Sequence, residues 1–318
     1  MTCYLQTYSD SVDNISRFHK LSFRLLVSNP AEISAATTAF VLLVLAVNTM
    51  SYDVSDGIPK LGLGTWQNTD GEDCAHSVKY ALDLGYEHID TAQAYDNEEY
   101  VGEGIEESSV DREDFFLATK VWIDNLEHDD VLETTQNSLD KLGTDYVDLL
   151  YVHWPAREYD PEETLAAFDQ LYDEGKIEHV GVSNFEPEHL DEAQEILDAP
   201  VFANQVEMHP LLQQDELHEY AVENDVQLVA YSPLARGEVF DVPELNEIAE
   251  KHGASEAQVS LAWLTQKENV AVIPKATGED HIEDNFAALD LELDDEDVAK
   301  IDGIDRTSRE VDPDFAPW

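Results

Sequence analysis

Basic residues are scarce in this chain. It has 17 lysines and arginines against 70 aspartates and glutamates among 318 residues, which gives a formal net charge of −53. Such a surface repels nucleic acid and anionic membranes, so we expect neither as a partner. The acids are spread along the chain, and 43% of the residues are hydrophobic, enough for a folded core. We interpret the acids as a surface adapted to very high salt; a surface that evolved for a basic partner is the alternative.

Cysteine is almost absent as well. The two cysteines, Cys3 and Cys74, provide neither a disulfide framework nor the spacing of a zinc site. We therefore expect no bound metal and a location in the reducing cytoplasm.

No apolar run is long enough to cross a bilayer comfortably. The longest candidate, Ala35–Val47, has 13 residues, whereas a spanning helix needs about 20. Residues 1–49 hold three acids and three bases, so residues 50–318 carry the whole charge with 67 acids against 14 bases. We expect residues 1–49 to be an upstream mis-start or a disordered extension; a membrane anchor or a signal-type hydrophobic segment is the alternative.

A glycine-rich dinucleotide loop is missing too. Gly62 and Gly64 lack the third glycine of the Rossmann fingerprint, and Thr65-Trp66 follows them instead of a helix. Apolar runs nevertheless alternate with amphipathic segments over about 260 residues, which suits a (β/α)₈ TIM barrel in a single domain over residues 50–318. Alternation alone leaves a doubly wound sheet open. The predicted strands are Leu61–Thr65, His88–Asp90, Phe115–Lys120, Val147–His153, Ile177–Val182, Ala203–Glu207, Gln227–Tyr231 and Val270–Ile273.

Local signals predict helices between these strands. Asp160 is a capping residue, and Pro161 follows it at the first helical position. Gly143 and Gly175 mark helix ends. The predicted helices are Asp73–Leu84, Val131–Leu142, Pro161–Glu174, Pro187–Leu197 and Asp215–Asn224.

Three of the predicted strands end in residues that handle protons. The second ends in Asp90 with Tyr95 five residues later, the third ends in Lys120, and the fourth ends in His153. A parallel barrel collects its active-site groups at the C-terminal ends of its strands. We therefore predict that these four residues form one catalytic site.

From about Ile58 onward the chain closely resembles the aldo-keto reductase family. Eight short motifs match in the correct order: Gly62-Leu63-Gly64-Thr65-Trp66, His88 to Tyr95 with Asn97-Glu98, Thr119-Lys120, His153-Trp154-Pro155, Gly181 to Phe185, Asn204-Gln205-Val206-Glu207, Tyr231-Ser232-Pro233-Leu234, and Ile273-Pro274-Lys275. The resemblance is strongest to compact prokaryotic members of the diketogluconate-reductase and methylglyoxal-reducing types. It implies NAD(P)H-dependent reduction of aldehydes and ketones to alcohols by hydride transfer. Because the compact relatives are often monomers, the resemblance also leads us to expect a monomer.

Carbonyl reduction explains the four residues chemically. Hydride transfer leaves an alkoxide that needs a proton, and a tyrosine with a pKa near 10 is a poor acid at neutral pH. A neighbouring ammonium lowers that pKa, and a carboxylate keeps the ammonium charged. The resemblance gives Tyr95 the role of acid, Lys120 and Asp90 that of its tuning pair, and His153 that of a donor to the carbonyl oxygen.

The resemblance also implies a cofactor site. Ser183, Asn184 and Gln205 match residues that bind the carboxamide, and Tyr231 matches the aromatic residue that stacks on the nicotinamide. The phosphates are expected along the segment Ser232 to Gly237, which includes Leu234 and Arg236, and Lys275 is expected at the 2′-phosphate. Asn285 matches an adenine contact, and an ordinary surface amide is its alternative interpretation.

This sequence departs from the family pattern at the 2′-phosphate. Relatives that use NADPH commonly have serine directly after the lysine and arginine six residues after it, where this chain has Ala276 and His281. Thr277 supplies one replacement donor, but a neutral histidine cannot form a bidentate clamp. We expect NADPH because Lys275 remains, with use of NADH left open.

Three tryptophans follow strand ends: Trp66, Trp122 and Trp154. The resemblance implies that they line the pocket for a small carbonyl substrate, and packing over the barrel core is the alternative. We expect the tail that ends in Phe315-Ala316-Pro317-Trp318 to cover the pocket mouth.

Two alternative functions stay open at this point: a non-catalytic nucleotide-binding barrel that regulates a partner, and a membrane-tethered reductase.

Overall fold

A computed structural model describes residues 57–318. The expectations for residues 1–49 lie outside the described residues. The described part contains eight parallel strands in the order of the sequence: β1 (Leu63–Gly64), β2 (His88–Asp90), β3 (Phe116–Val121), β4 (Val147–Val152), β5 (Ile177–Ser183), β6 (Val201–Glu207), β7 (Gln227–Tyr231) and β8 (Val270–Val272).

The first and last strands are also joined. Isolated parallel bridges link Leu61 to Val272 and Gly64 to Lys275, and the Gly62 amide donates to the Val272 carbonyl at 2.8 Å. Eight parallel strands in sequential order with helices between them are consistent with a (β/α)₈ barrel and not with the reversed strand order of a doubly wound sheet.

Ten α-helices are found in the described residues: α1 (Gly71–Leu84), α2 (Glu98–Glu107), α3 (His128–Leu142), α4 (Pro161–Asp173), α5 (Pro187–Ile196), α6 (Asp215–Glu223), α7 (Pro243–His252), α8 (Glu256–Thr265), α9 (Glu279–Phe286) and α10 (Asp295–Asp302). The predicted strands and helices are all present, with ends shifted by at most three residues. Within residues 57–318 no helix is long and apolar enough to span a bilayer.

Capping explains the ends of several helices. The Asp160 carboxylate accepts from the Glu163 amide before α4, and Pro161 occupies the first helical turn as predicted. Gly143 ends α3 in the left-handed conformation with φ of 70°, which glycine adopts without steric cost.

Two apolar layers position the site. The larger layer packs the helices against the outside of the sheet, and a smaller one fills its inside with residues such as Phe116, Leu149, Tyr151 and Val229. A Cβ atom on Gly181 would lie only 2.6 Å from the Tyr151 ring. Glycine at this position therefore makes room for an aromatic ring directly below the strand ends that carry the site.

Candidate active site

The ends of β2 and β3 bring three of the four predicted catalytic residues into contact. Lys120 is fully buried, and its ammonium donates to Asp90 Oδ1 at 2.5 Å, to the Thr91 carbonyl at 2.8 Å and to Tyr95 Oη at 3.3 Å. An ammonium has three hydrogens and no lone pair. All three hydrogens of Lys120 are thus assigned to these three oxygens.

This arrangement determines the direction of the Tyr95 hydroxyl. Because its oxygen accepts from Lys120, the hydroxyl hydrogen points elsewhere. Tyr95 lines a cavity of about 920 Å³ at the C-terminal ends of the strands. The phenol is therefore a hydrogen-bond donor available to a ligand in that cavity.

The acidity of Tyr95 differs from the expectation based on Lys120 alone. Burial of the phenol raises its pKa well above the ordinary value, and the Asp90 carboxylate adds to this rise. The Lys120 ammonium lies 3.3 Å from the phenol oxygen, yet loss of solvent is the largest cause, so the net direction of the pKa shift is upward. The phenol is protonated at neutral pH, the form that a proton donor needs.

Asp90 and Lys120 form a buried ion pair with side-chain exposures of 1% and 0%. Burial raises the pKa of Asp90 and lowers that of Lys120, and each charge opposes the shift of the other. The second carboxylate oxygen of Asp90 accepts from Gln205 Nε2 at 2.7 Å. Both carboxylate oxygens of Asp90 thus have a hydrogen-bond partner, which is what a buried charge requires.

His153 faces the same cavity from just beyond the end of β4. Its ring packs edge-on against Tyr95 and Trp122, with centroid distances of 5.8 and 5.2 Å. Burial holds the pKa of His153 well below its usual range, and the Lys120 ammonium lowers it further. The Nδ1 atom is buried with no hydrogen-bond partner among the described residues. No hydrogen bond from the residues of the described range uses Nε2, so this ring nitrogen remains for a ligand in the cavity.

Aromatic side chains form the walls at the Tyr95 end of the cavity. Trp66, Trp122 and Trp154 all line it, as predicted. Trp154 is buried, whereas Trp66 is 37% exposed and lies at the mouth. Phe315 of the tail completes this wall, with its ring 5.4 Å from that of Trp154.

The predicted carboxamide group forms one hydrogen-bonded cluster. The Ser183 hydroxyl donates to the Gln205 carbonyl at 2.8 Å, the Asn184 amide donates to the His153 carbonyl at 3.1 Å, and the Tyr231 hydroxyl donates to Asn184 Oδ1 at 2.9 Å. All four predicted side chains, Ser183, Asn184, Gln205 and Tyr231, line the cavity next to Tyr95.

The cavity continues toward the predicted phosphate end. Ser232, Leu234, Arg236 and Lys275 line it there. Arg236 stacks over Trp66 at 4.7 Å, and Lys275 donates to Thr277 Oγ1 at 3.2 Å. Neither cation forms an ion pair with a carboxylate of residues 57–318, although acids are abundant in this chain.

Two unpaired cations beside an apolar cleft suit the diphosphate of a nicotinamide dinucleotide. The chemistry of the donor set therefore fits the cofactor that the sequence predicted. Three of the predicted contacts are less direct. Thr277 lies beside Lys275, His281 is exposed and Asn285 is buried, both on α9, and none of the three lines the cavity. Their contacts with a cofactor stay predictions.

Several residues that support the site were not identified from the sequence. Gln93 Oε1 accepts from the Trp122 amide at 3.1 Å and from Asn125 Nδ2 at 3.0 Å, which fixes one wall of the cavity. Asn97 donates to the carbonyls of Thr65 and Asn68 at 2.9 and 3.1 Å, tying the end of β1 to the start of α2.

The buried Glu98 carboxylate accepts from Thr119 Oγ1 at 2.7 Å, one residue before Lys120. All three supporting residues, Gln93, Asn97 and Glu98, lie in or next to the motif that contains Asp90 and Tyr95. The clustering of polar residues in this one short motif was the sequence signal that could have identified them as supporting residues. Their roles depend on partners that lie 21 to 32 residues away.

The chain is similar to known proteins over most of its length. Residues 60–306 match the model of the aldo/keto reductase family. The chain is 42% identical to the glyoxal reductase of Bacillus subtilis, over 79% of this chain and 91% of that protein. It is 40% identical to a methylglyoxal reductase of Escherichia coli O157:H7, over 80% and 96% of the two chains.

A crystal structure attributed to a 2,5-diketo-D-gluconic acid reductase B shares 40% identity, with a TM-score of 0.80 over 83% of this chain and 94% of that one. The family match covers more than half of the chain, and the relatives are named as reductases. The protein therefore belongs to the aldo/keto reductase family and is an oxidoreductase that acts on carbonyl groups.

Proposed function

We propose that the protein reduces small aldehydes and dicarbonyls with NADPH as the preferred reductant, and that Tyr95 donates the proton. The observation that carries this proposal is the set of three hydrogen bonds from Lys120, which leaves the Tyr95 hydroxyl free to donate into the cavity. When bound, NADPH would supply the hydride.

The residues of this chain perform the remaining steps. The His153 ring, kept neutral by burial, orients the substrate carbonyl by donating a hydrogen bond to its oxygen. Tyr95 gives its proton to the alkoxide, and Lys120 stabilises the resulting phenolate from 3.3 Å. Asp90 holds the ammonium in place, and Gln205 holds Asp90.

Ser183, Asn184, Gln205 and Tyr231 would hold the nicotinamide end of the cofactor, and Arg236 and Lys275 its phosphates. Lys275 supports NADPH over NADH because an ammonium attracts a 2′-phosphate, with Thr277 as a second donor beside it. The sequential strand order and the bridges from β1 to β8 support a closed barrel as the scaffold.

We further propose a cytoplasmic, salt-adapted monomer. The 67 acids against 14 bases in residues 50–318 support the salt adaptation. The two alternatives, a regulatory barrel and a tethered reductase, have no support from the relatives, which are named as reductases.

The test is consumption of NADPH and NADH by the full chain in concentrated KCl, with methylglyoxal, other small aldehydes and keto-sugars as substrates. We expect turnover of at least one dicarbonyl and a higher kcat/KM with NADPH. A folded protein that binds either nucleotide and reduces none of these substrates would contradict the proposal.

A further inference from the structure

The last eleven residues, 308–318, form the outer wall of the cavity; we refer to them as the tail. Val311, Pro313 and Phe315 of the tail line the cavity. The Phe315 ring contacts Trp122 and Trp154, with centroid distances of 6.3 and 5.4 Å. A substrate group that extends away from the carbonyl would therefore meet the tail on one side.

One side chain of the barrel binds the backbone of the tail. Glu207 is the last residue of β6, and its Oε1 accepts from the Glu310 amide at 2.6 Å. Its Oε2 accepts from the Val311 amide at 2.9 Å. Both amides come from residues more than a hundred positions further along the chain.

The surroundings of this carboxylate make the contact strong. The side chain of Glu207 is fully buried, and His209 Nε2 lies 2.9 Å from Oε1 and is buried as well. Glu207 forms no ion pair with a lysine or arginine of the described residues. A buried carboxylate needs several hydrogen bonds to offset its lost hydration, so the tail amides satisfy a charge that the barrel alone leaves under-coordinated.

From this geometry we propose that Glu207 is a positioning residue that holds the tail over the carbonyl pocket and thereby determines which substrates bind well. It acts through Val311 and Phe315 and does not touch the reacting atoms. Because Val311 starts the stretch that contributes Pro313 and Phe315 to the cavity, loss of its hydrogen bond loosens that wall. The inference rests on the proposed carbonyl reduction at this cavity.

The proposal distinguishes two substrates of the same chemistry. Methylglyoxal is too small to depend on the wall formed by Phe315, whereas the ring of phenylglyoxal needs an apolar surface to pack against. A fixed tail therefore favours phenylglyoxal, and a loosened tail loses that preference while leaving the reduction of methylglyoxal intact.

Glu207→Gln is the first test. The amide keeps one acceptor oxygen for three donors, the two tail amides and His209, so at least one tail hydrogen bond is lost. We expect KM for phenylglyoxal to rise about tenfold, as for loss of one charge-assisted hydrogen bond, with kcat retained. The kcat/KM for methylglyoxal should stay within about twofold. Glu223→Gln, an exposed position on α6, changes the net charge equally and is the matched control.

A double-mutant cycle separates positioning from a general structural effect. In a Phe315→Ala background, Glu207→Gln should change KM for phenylglyoxal by less than twofold, because the wall it positions is already gone. Equal losses for both substrates, or additive effects in the cycle, would overturn the proposal.

A second variant covers the case in which Glu207→Gln does not fold. Val311→Pro removes one donor from the tail and leaves the barrel untouched. It should produce the same selective rise in KM for phenylglyoxal, and an unchanged KM would overturn the proposal. Failure of the wild-type protein to reduce either dicarbonyl would instead refute the proposed function, so the two failures are distinguishable.

Discussion

The Tyr95→Phe substitution tests the proposed proton donor directly. It deletes the hydroxyl that Lys120 contacts at 3.3 Å, while Asp90 Oδ1 and the Thr91 carbonyl still accept from the ammonium. A positioned general acid contributes roughly 10²- to 10⁴-fold to the rate, which corresponds to about 2.7–5.5 kcal/mol of transition-state stabilisation. We therefore expect kcat for methylglyoxal to fall by at least about 100-fold.

Folding should be affected much less than catalysis. One hydrogen bond to the ammonium is lost, and two acceptors remain, so the free energy of unfolding should change by about 1 kcal/mol. The Kd for NADPH, measured by fluorescence titration, should stay within about twofold because the phenol lies at the carbonyl end of the cavity. Unfolding is measured in parallel by denaturant titration at fixed high KCl.

Tyr172→Phe provides the control, because it also removes a tyrosine hydroxyl. Tyr172 lies on α4, is 40% exposed and does not line the cavity. It should leave kcat, Kd and stability unchanged. Two results would refute the reasoning: a Tyr95→Phe variant with near-normal kcat, which requires another acid, or an equal collapse of NADPH affinity, which makes Tyr95 structural.

Three further predictions concern the cofactor, pH and salt. His281→Arg should raise the ratio of NADPH to NADH affinity by about tenfold, because a guanidinium clamps a phosphate and a neutral imidazole does not; an unchanged ratio would place His281 away from the 2′-phosphate. The kcat/KM for reduction should be flat between about pH 7 and pH 9. The pKa of Tyr95 is raised, so the phenol stays protonated to a pH above the usual tyrosine value near 10. The pKa of His153 is lowered, so the imidazole is neutral above its usual value of 6.5. An ionisation of Tyr95 or His153 inside that window would contradict the assignment of that residue. The thermal unfolding midpoint should rise steeply with KCl, since the screening length shortens from about 10 Å at 0.1 M to about 3 Å at 1 M, and equal midpoints at both concentrations would argue against salt adaptation.

Several features of the fold followed from local sequence signals. Eight apolar runs predicted the eight strands, and capping residues such as Asp160 predicted helix starts, because hydrophobic periodicity and caps act within a few residues. Strand ends were less exact. Leu61 was predicted inside β1, but it forms an isolated bridge to Val272, since the edge of a strand depends on its neighbour in space.

The sequence by itself determined which chemical groups meet at the site. A parallel barrel gathers strand ends, so Asp90, Lys120 and His153 had to converge once their strands were in order. Only the tertiary structure decided which hydrogen bonds these groups form and in which direction their pKa values shift. The assignment of the three Lys120 hydrogens and the rise in the pKa of Tyr95 depend on burial and on distances between residues 25 to 30 positions apart. The contact of Glu207 with the tail spans 103 positions. No local pattern specifies such a partner, because a hydrogen bond depends on ångström-scale geometry that forms only when distant segments pack together.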